Sequence, residues 1–295
     1  MTTSTGLWNE GFGAVGATLK ALENAGGTPE LLKLIRSNQN VAKAVVEAGN
    51  AFLRTRYAYE EVASNYTYPN DYAVKPIAEQ IAVLSKFFSL DGEKALAHSK
   101  NLSELPEGAE GWFAILKWQV VAKDYGKAVK EVLVAIIGKK WTLENWREEQ
   151  FGERYLRQSE ITEQMFTKLC EKQDGDIIII PAQFGLRHRG RSVRRAREVF
   201  VGNEFGLGSF AIGCMLLAHP EREQVWGQLH IDCAGDEFAP DGDDEFTSTS
   251  VFCWYGDRLR FNARRTDDAG GQCGSVSGFV PKSLLAAKGI SNSFK

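Results

Sequence analysis

Four consecutive isoleucines, Ile177 to Ile180, stand between Gly175 and Pro181. Branching at Cβ stiffens each of these side chains and favours extended backbone. A run with no polar alternation has no face to give to water, so the strand must be covered on both sides. The rest of the chain has to supply that cover.

Before Gly175 the pattern is helical. Leu7, Phe12, Val15, Leu19 and Leu22 recur at helix spacing, and Gly26-Gly27 ends that segment. Thr28-Pro29-Glu30 reads as an N-cap, a proline in the first turn and an acid near the positive helix end. Leu31, Leu32, Leu34 and Ile35 give the following helix an apolar face, and 41–52 resumes the pattern. Pro76 opens another helix, with Ile77, Ile81, Leu84 and Phe87-Phe88 as its buried stripe. Asn101–Gly111 is a connector, and Trp112–Ile137 reads as the strongest helical segment, weakened at Gly126 so that one helix or two fit the pattern, and stopped by Gly138. Trp141–Lys172 is more polar and reads as an exposed helical connector docked by Met165, Phe166 and Leu169.

After Gly175, strand-like runs recur at Phe210–Leu217, Trp226–Asp232, Val251–Trp254, Arg258–Asn262 and Val276–Val280. Tyr255-Gly256-Asp257 reads as the turn of a hairpin. The expected fold is therefore α+β: a helical region over 1–172 beside a mostly antiparallel sheet or partly open barrel over 173–295, ending in a short polar tail. The pattern allows both regions to share one core.

The chain is 43% hydrophobic and 25% charged, which is globular rather than disordered composition. No apolar run reaches the roughly 20 residues of a membrane helix, and MTTSTGLWNEGFG has no signal-peptide pattern. The expected address is cytoplasmic, with no membrane partner. Cys170, Cys214, Cys233, Cys253 and Cys273 are odd in number and lack CxxC spacing, so reduced thiols are expected rather than a disulfide framework or a zinc knuckle.

Charge is unevenly placed. Arg187, Arg189, Arg191, Arg194, Arg195 and Arg197 fall in one stretch without an acid among them. Ser192 caps a short helix there, with Val193, Ala196, Val199 and Phe200 on its apolar side. Cations just before a helix start oppose its dipole, by about 0.3–1 kcal/mol each where exposed. An anion at that end reverses the sign, because amides and guanidinium forks grip phosphate together. The leading functional expectation is thus a nucleic-acid- or phosphate-binding protein, with RNA or DNA as partner and the arginines positioning phosphates. The competing reading is that these arginines pair with the acidic block Asp232–Glu245.

That block supports a second functional class. Asp232, Asp236 and Glu237 are candidate ligands of a metal-dependent hydrolase or nuclease, although EF-hand offsets are absent. Cys233 with His219 is a conceivable nucleophile–base pair with no surrounding signature. Neither GxGxxG nor GxxxxGK[ST] occurs, so no cofactor is expected. A third class is a protein-interaction or scaffold module that docks through the five tyrosines of Tyr57–Tyr72.

Overall fold

Thr28 caps its helix as its position requires, its hydroxyl accepting from the Leu31 amide at 3.3 Å. A computed structural model describes residues 12–53, 55–137, 142–222 and 227–281, and the chain divides into two compact units, 1–56 and 57–294. The first unit contains α1 (Phe12–Asn24), α2 (Pro29–Ser37) and α3 (Gln39–Leu53). None of its described side chains is buried. Leu7, at the head of the expected first helix, and the polar tail after 282 lie outside the described residues.

The second unit is α+β. In chain order it holds α4 (Ile77–Phe88), α5 (Glu93–Ser99), β1 (Gly111–Leu116), α6 (Tyr125–Ile137), β2 (Leu143–Asn145) and β3 (Leu156–Gln158). There follow α7 (Glu160–Cys170), β4 (Ile177–Gln183), α8 (Val193–Val199), β5 (Glu204–Gly206) and α9 (Ser209–Ala218). The last elements are β6 (His230–Asp232), β7 (Asp236–Phe238), β8 (Ser248–Tyr255), β9 (Arg258–Arg265), β10 (Cys273–Ser275) and β11 (Ser277–Phe279).

The isoleucine run is the buried strand β4, and every residue from Ile177 to Gln183 is buried. It lies second in a four-stranded antiparallel sheet ordered β1-β4-β11-β5. Phe113 opposes Ile180 and Ile115 opposes Ile178. A second sheet of seven strands runs β10-β6-β8-β7-β3, with β9 beside β8 and β2 beside β9. It is mostly antiparallel, with parallel pairs only at β10/β6 and β2/β9 among the described strands, and it does not close into a barrel. The β8–β9 hairpin turns at Gly256-Asp257, as the sequence indicates.

Three expectations are corrected. Trp112–Ile137 is not one helix: its first part is β1, Trp118–Val120 is a single 3-10 turn, and the α-helix is Tyr125–Ile137. Phe113 to Leu116 is wholly apolar and buried on both sides, so its spacing alone cannot separate strand from helix. Gly126 does not interrupt a helix either. It sits in the first turn of α6, where a Cβ would stand 1.3 Å from the Phe151 carbonyl oxygen, so only glycine admits that approach.

The second correction is Phe210–Leu217, expected as a strand and observed within α9. All ten residues of α9 are buried, and it packs against α4, α6 and β1. A helix surrounded on every side carries no apolar stripe to read. The polar connector expected over 141–172 contains short strands β2 and β3 besides α7; Met165 and Leu169 do dock it.

Candidate functional site

The arginine stretch begins at the end of β4. Gly190, at φ +77°, receives the Val62 amide on its carbonyl at 2.8 Å, and its own amide bonds the Cys273 carbonyl at 2.9 Å. The tyrosine-rich segment 57–72 therefore lies along this loop, with Glu61 bridged to Arg191. This registration brings Glu60 and Glu61 onto the guanidinium groups.

Glu60, buried, accepts from the Ser192 hydroxyl at 2.6 Å and from Arg194 Nε at 2.8 Å. Glu61 takes Arg195 Nε at 2.5 Å, with Arg191 Nε 3.4 Å away. Arg195 also reaches Glu198 at 2.7 Å. Burial raises both Glu60 and Glu61, but the arginines outweigh it and hold each carboxyl below its ordinary range. Arg197 donates to the carbonyls of Ala234 and Asp236 at 2.8 and 2.6 Å. Arg187 stands 3.3 Å from Glu204. Arg189 is exposed and donates to the Tyr66 carbonyl at 2.9 Å. Arg189, Arg191, Arg194 and Arg195 thus form a clamp on 57–72, while Arg187 and Arg197 tie the same stretch to Glu204 and to the Ala234 and Asp236 carbonyls. Of the acidic block Asp232–Glu245, this stretch meets backbone carbonyls through Arg197, whereas the carboxylates that Arg187, Arg191, Arg194 and Arg195 engage are Glu204, Glu61, Glu60 and Glu198.

Behind the clamp, His188 and Glu204 are both buried and meet at 2.7 Å. Arg191 Nη1 lies 3.0 Å from His188 Nδ1, so the ring accepts there and donates from Nε2 to Glu204. Burial pushes His188 below its ordinary 6.5, while Glu204, despite burial, is held low by His188, Ser277 and Arg187. Folded His188 therefore binds its proton less readily than unfolded His188. Its stabilisation is present at neutral pH and is lost as pH falls below about 6.5. We expect thermal unfolding to show wild type losing ground to His188→Gln on acidification, by up to about 1.4 kcal/mol per pH unit. The difference between the two proteins is the readout, because Glu110, Asp232 and Asp236, raised by burial, titrate in both.

The acidic block disperses. Asp236 is buried and accepts from the Tyr125 hydroxyl at 2.6 Å and from the Ser209 amide at 2.9 Å, which caps α9 from outside its own segment. Asp232 lies 3.5 Å from Arg264, and Glu237 pairs with Arg157 at 2.8 Å. The three carboxylates thus serve three partners, and among the described residues no group of three His, Cys, Asp or Glu side chains is placed to hold a metal. Cys233 lies in the turn whose Gly235 amide bonds the Leu207 carbonyl just before α9, whereas His219 caps the far end of that helix. Burial pushes the Cys233 thiol up, and both His219 ring nitrogens meet backbone, at Lys75 N and Met215 O. No nucleophile–base pair results.

The structure does form a cleft at the N-terminal end of α9. An apolar lobe of about 360 Å3 is lined by Leu116, Trp118, Val120, Phe166, Phe210 and Ala211. A polar lobe of about 550 Å3 adjoins it, bordered by Lys123, Tyr125, Glu153, Arg154 and Asp244. Trp118, Gln158 and Glu163 border both lobes. Trp118 meets Tyr125 edge-on at 6.2 Å, and the Tyr125 hydroxyl rests on Asp236, so the cleft wall is tied to the cap of α9.

The cleft's charges are unequal in availability. Lys117 donates to the Gln173 carbonyl at 2.9 Å, and Arg157 is held by Glu237 and lies 3.6 Å over the Phe246 ring. Asp124 pairs with Lys127. Glu163, Glu171, Glu153 and Asp244 have no side-chain hydrogen bond or ion pair among the described residues, nor do Lys123 and Arg154, the latter lying 4.8 Å over the Tyr155 ring. Sequence reasoning placed Trp118 inside a helix and Glu163 on an exposed connector, so it missed this site. A tryptophan beside a lysine and a glutamine was the only local signal. Compared with known proteins, the chain matches no family model, no curated protein and no solved structure.

Proposed function

We propose that this chain is a binding protein for a small organic cation with an apolar body, held in the two-lobed cleft. One observation carries the reading: the Glu163 carboxylate, without a partner among the described residues, stands where the lobes meet and lines them with Trp118 and Phe166. Small-ligand sites are concave and largely apolar, with few polar groups fixing orientation. An ammonium gains from a carboxylate and from aromatic faces together, about 0.5–2 kcal/mol for each face. Thermal-shift titration with octylammonium tests this. Wild type is expected to be stabilised, and Glu163→Gln and Trp118→Ala are each expected to weaken binding roughly tenfold, about 1.4 kcal/mol. Unchanged affinity in both variants contradicts the assignment.

The second reading is a phosphate-bearing ligand, nucleic acid included, at the arginine stretch. It is favoured by one feature: Arg187 and Arg189 are exposed, and Arg189 has no carboxylate partner among the described residues. Fluorescence anisotropy of labelled RNA and DNA over a salt series decides it. This reading requires affinity that falls linearly in log salt and is lost in Arg187→Ala/Arg189→Ala; no binding at low salt removes it.

A further inference from the structure

The polar lobe of the cleft holds more charge than an ammonium answers. Beyond Glu163, Lys123 and Arg154 border this lobe without a carboxylate partner among the described residues. The other arginine there, Arg157, is held by Glu237. Arg154 is set in place by packing rather than by an ion pair, its guanidinium lying 4.8 Å over the Tyr155 ring. Gly242 leaves room for this stack: a Cβ there would stand 2.7 Å from Arg154 Nε and 2.6 Å from the Tyr155 ring. A guanidinium seated in this way presents a planar fork of donors, the geometry that meets a carboxylate or phosphate with two parallel bonds.

Resting on the cleft assignment above, we infer that the organic cation bound there also carries an oxyanion and is therefore an amphipathic zwitterion. Its apolar body fills the apolar lobe, its ammonium meets Glu163 at the junction, and its oxyanion lies beyond on Arg154, with Lys123 adding charge. A ligand that fills the lobe strips water from the charges around it, and each must then meet an opposite charge or carry the cost. An ammonium alone answers Glu163 and leaves Arg154 and Lys123 facing their own sign. An anion alone fails at the other end, because a carboxylate closing an alkyl chain stands at the junction against Glu163. Both signs, in that order along one molecule, answer both ends. Glu153 and Asp244 border the same lobe and favour a second ammonium in place of the oxyanion. Arg154, already seated against the Tyr155 ring and Gly242, gives up less side-chain freedom per bond formed than they do.

Isothermal titration of the full chain compares octylammonium with N-octylglycine, the same amine carrying a carboxymethyl group on nitrogen. In wild type, N-octylglycine is expected to bind roughly fivefold more tightly, the upper range for a forked ion pair that stays partly exposed. The ratio of the two affinities should fall to near one in Arg154→Gln, and Arg154→Lys should recover only part of it. Lys123→Gln should lower the ratio by less. Both positions are exposed, so each variant should unfold thermally at the wild-type temperature without ligand. An unchanged ratio in Arg154→Gln overturns the inference. Tighter binding of N-octylethylenediamine, which puts an ammonium in the carboxylate's place, assigns the lobe to Glu153 and Asp244 and overturns it too. Glu163-dependent binding of octylammonium with no gain for N-octylglycine removes the oxyanion and leaves the cleft assignment standing, whereas no binding of either ligand removes both.

Discussion

Arg222→Ala is expected to cost the 57–294 unit about 3–5 kcal/mol, the loss that follows when one member of a buried charged cluster is removed. Arg222 is fully buried. Its Nη1 donates to the Leu229 carbonyl and its Nη2 to the Phe184 carbonyl, each at 2.9 Å. The guanidinium lies over the Tyr68 ring at 4.3 Å and the Phe184 ring at 5.1 Å. Nearby, the Glu110 carboxylate accepts from the Tyr68 hydroxyl at 2.5 Å and the Phe184 amide at 3.1 Å. Burial pushes Glu110 up, and Arg222 is the cation that counters it. Alanine would leave two carbonyls and a carboxylate uncompensated, together with a cavity. Arg222→Met, which fills the space, should lose less than alanine, and Arg222→Lys should recover little because an ammonium cannot span both carbonyls while stacking. Urea unfolding followed by tryptophan fluorescence measures the series. The midpoint should fall and the slope stay constant.

Asp236→Ala is the next largest. It removes the acceptor of two buried donors, the Tyr125 hydroxyl and the Ser209 amide, at 2.6 and 2.9 Å. Each bond to a charged group is worth about 1.5–3 kcal/mol, so a loss near 4 kcal/mol is expected. Asp236→Asn keeps one acceptor and should lose about half of that. Combining Asp236→Ala with Tyr125→Phe should cost less than the sum of the two, since the second change removes a donor already stranded. Additive losses in a urea double-mutant cycle would show that the hydroxyl and carboxylate are not coupled.

Much of the fold was legible where a short segment carries its own chemistry. Thr28-Pro29 and Ser192 announce helix starts because a cap is satisfied within three residues. The β8–β9 hairpin is visible because Gly256-Asp257 turns between two strand-like runs. The buried isoleucine strand is visible because four branched residues leave water no side. What stayed hidden depends on partners far away in sequence. The counter-ions of the arginine clamp, Glu60 and Glu61, lie more than 130 residues before Arg194 and Arg195. α9 was unreadable because its cap, Asp236, comes 27 residues after Ser209 and its surface is apolar all round.

The cleft was hidden for the same reason. Trp118 comes from the 3-10 turn after β1, Glu163 and Phe166 from α7, and Phe210 from α9. No local spacing relates them, and only folding sets Glu163, without a partner among the described residues, in one cleft with two aromatic rings. The arginine stretch, by contrast, was conspicuous in sequence, and folding engages most of its charge internally. A dense run of one charge marks where opposite charge is needed, and that charge can come from the same chain.

Isothermal titration of the wild-type chain with octylammonium and with octanoate, matched in apolar length and opposite in charge, tests the cleft assignment most directly. Saturable binding of one octylammonium per chain, with octanoate much weaker, is the predicted result. Octanoate binding as tightly as the amine, or no heat from either, would contradict it.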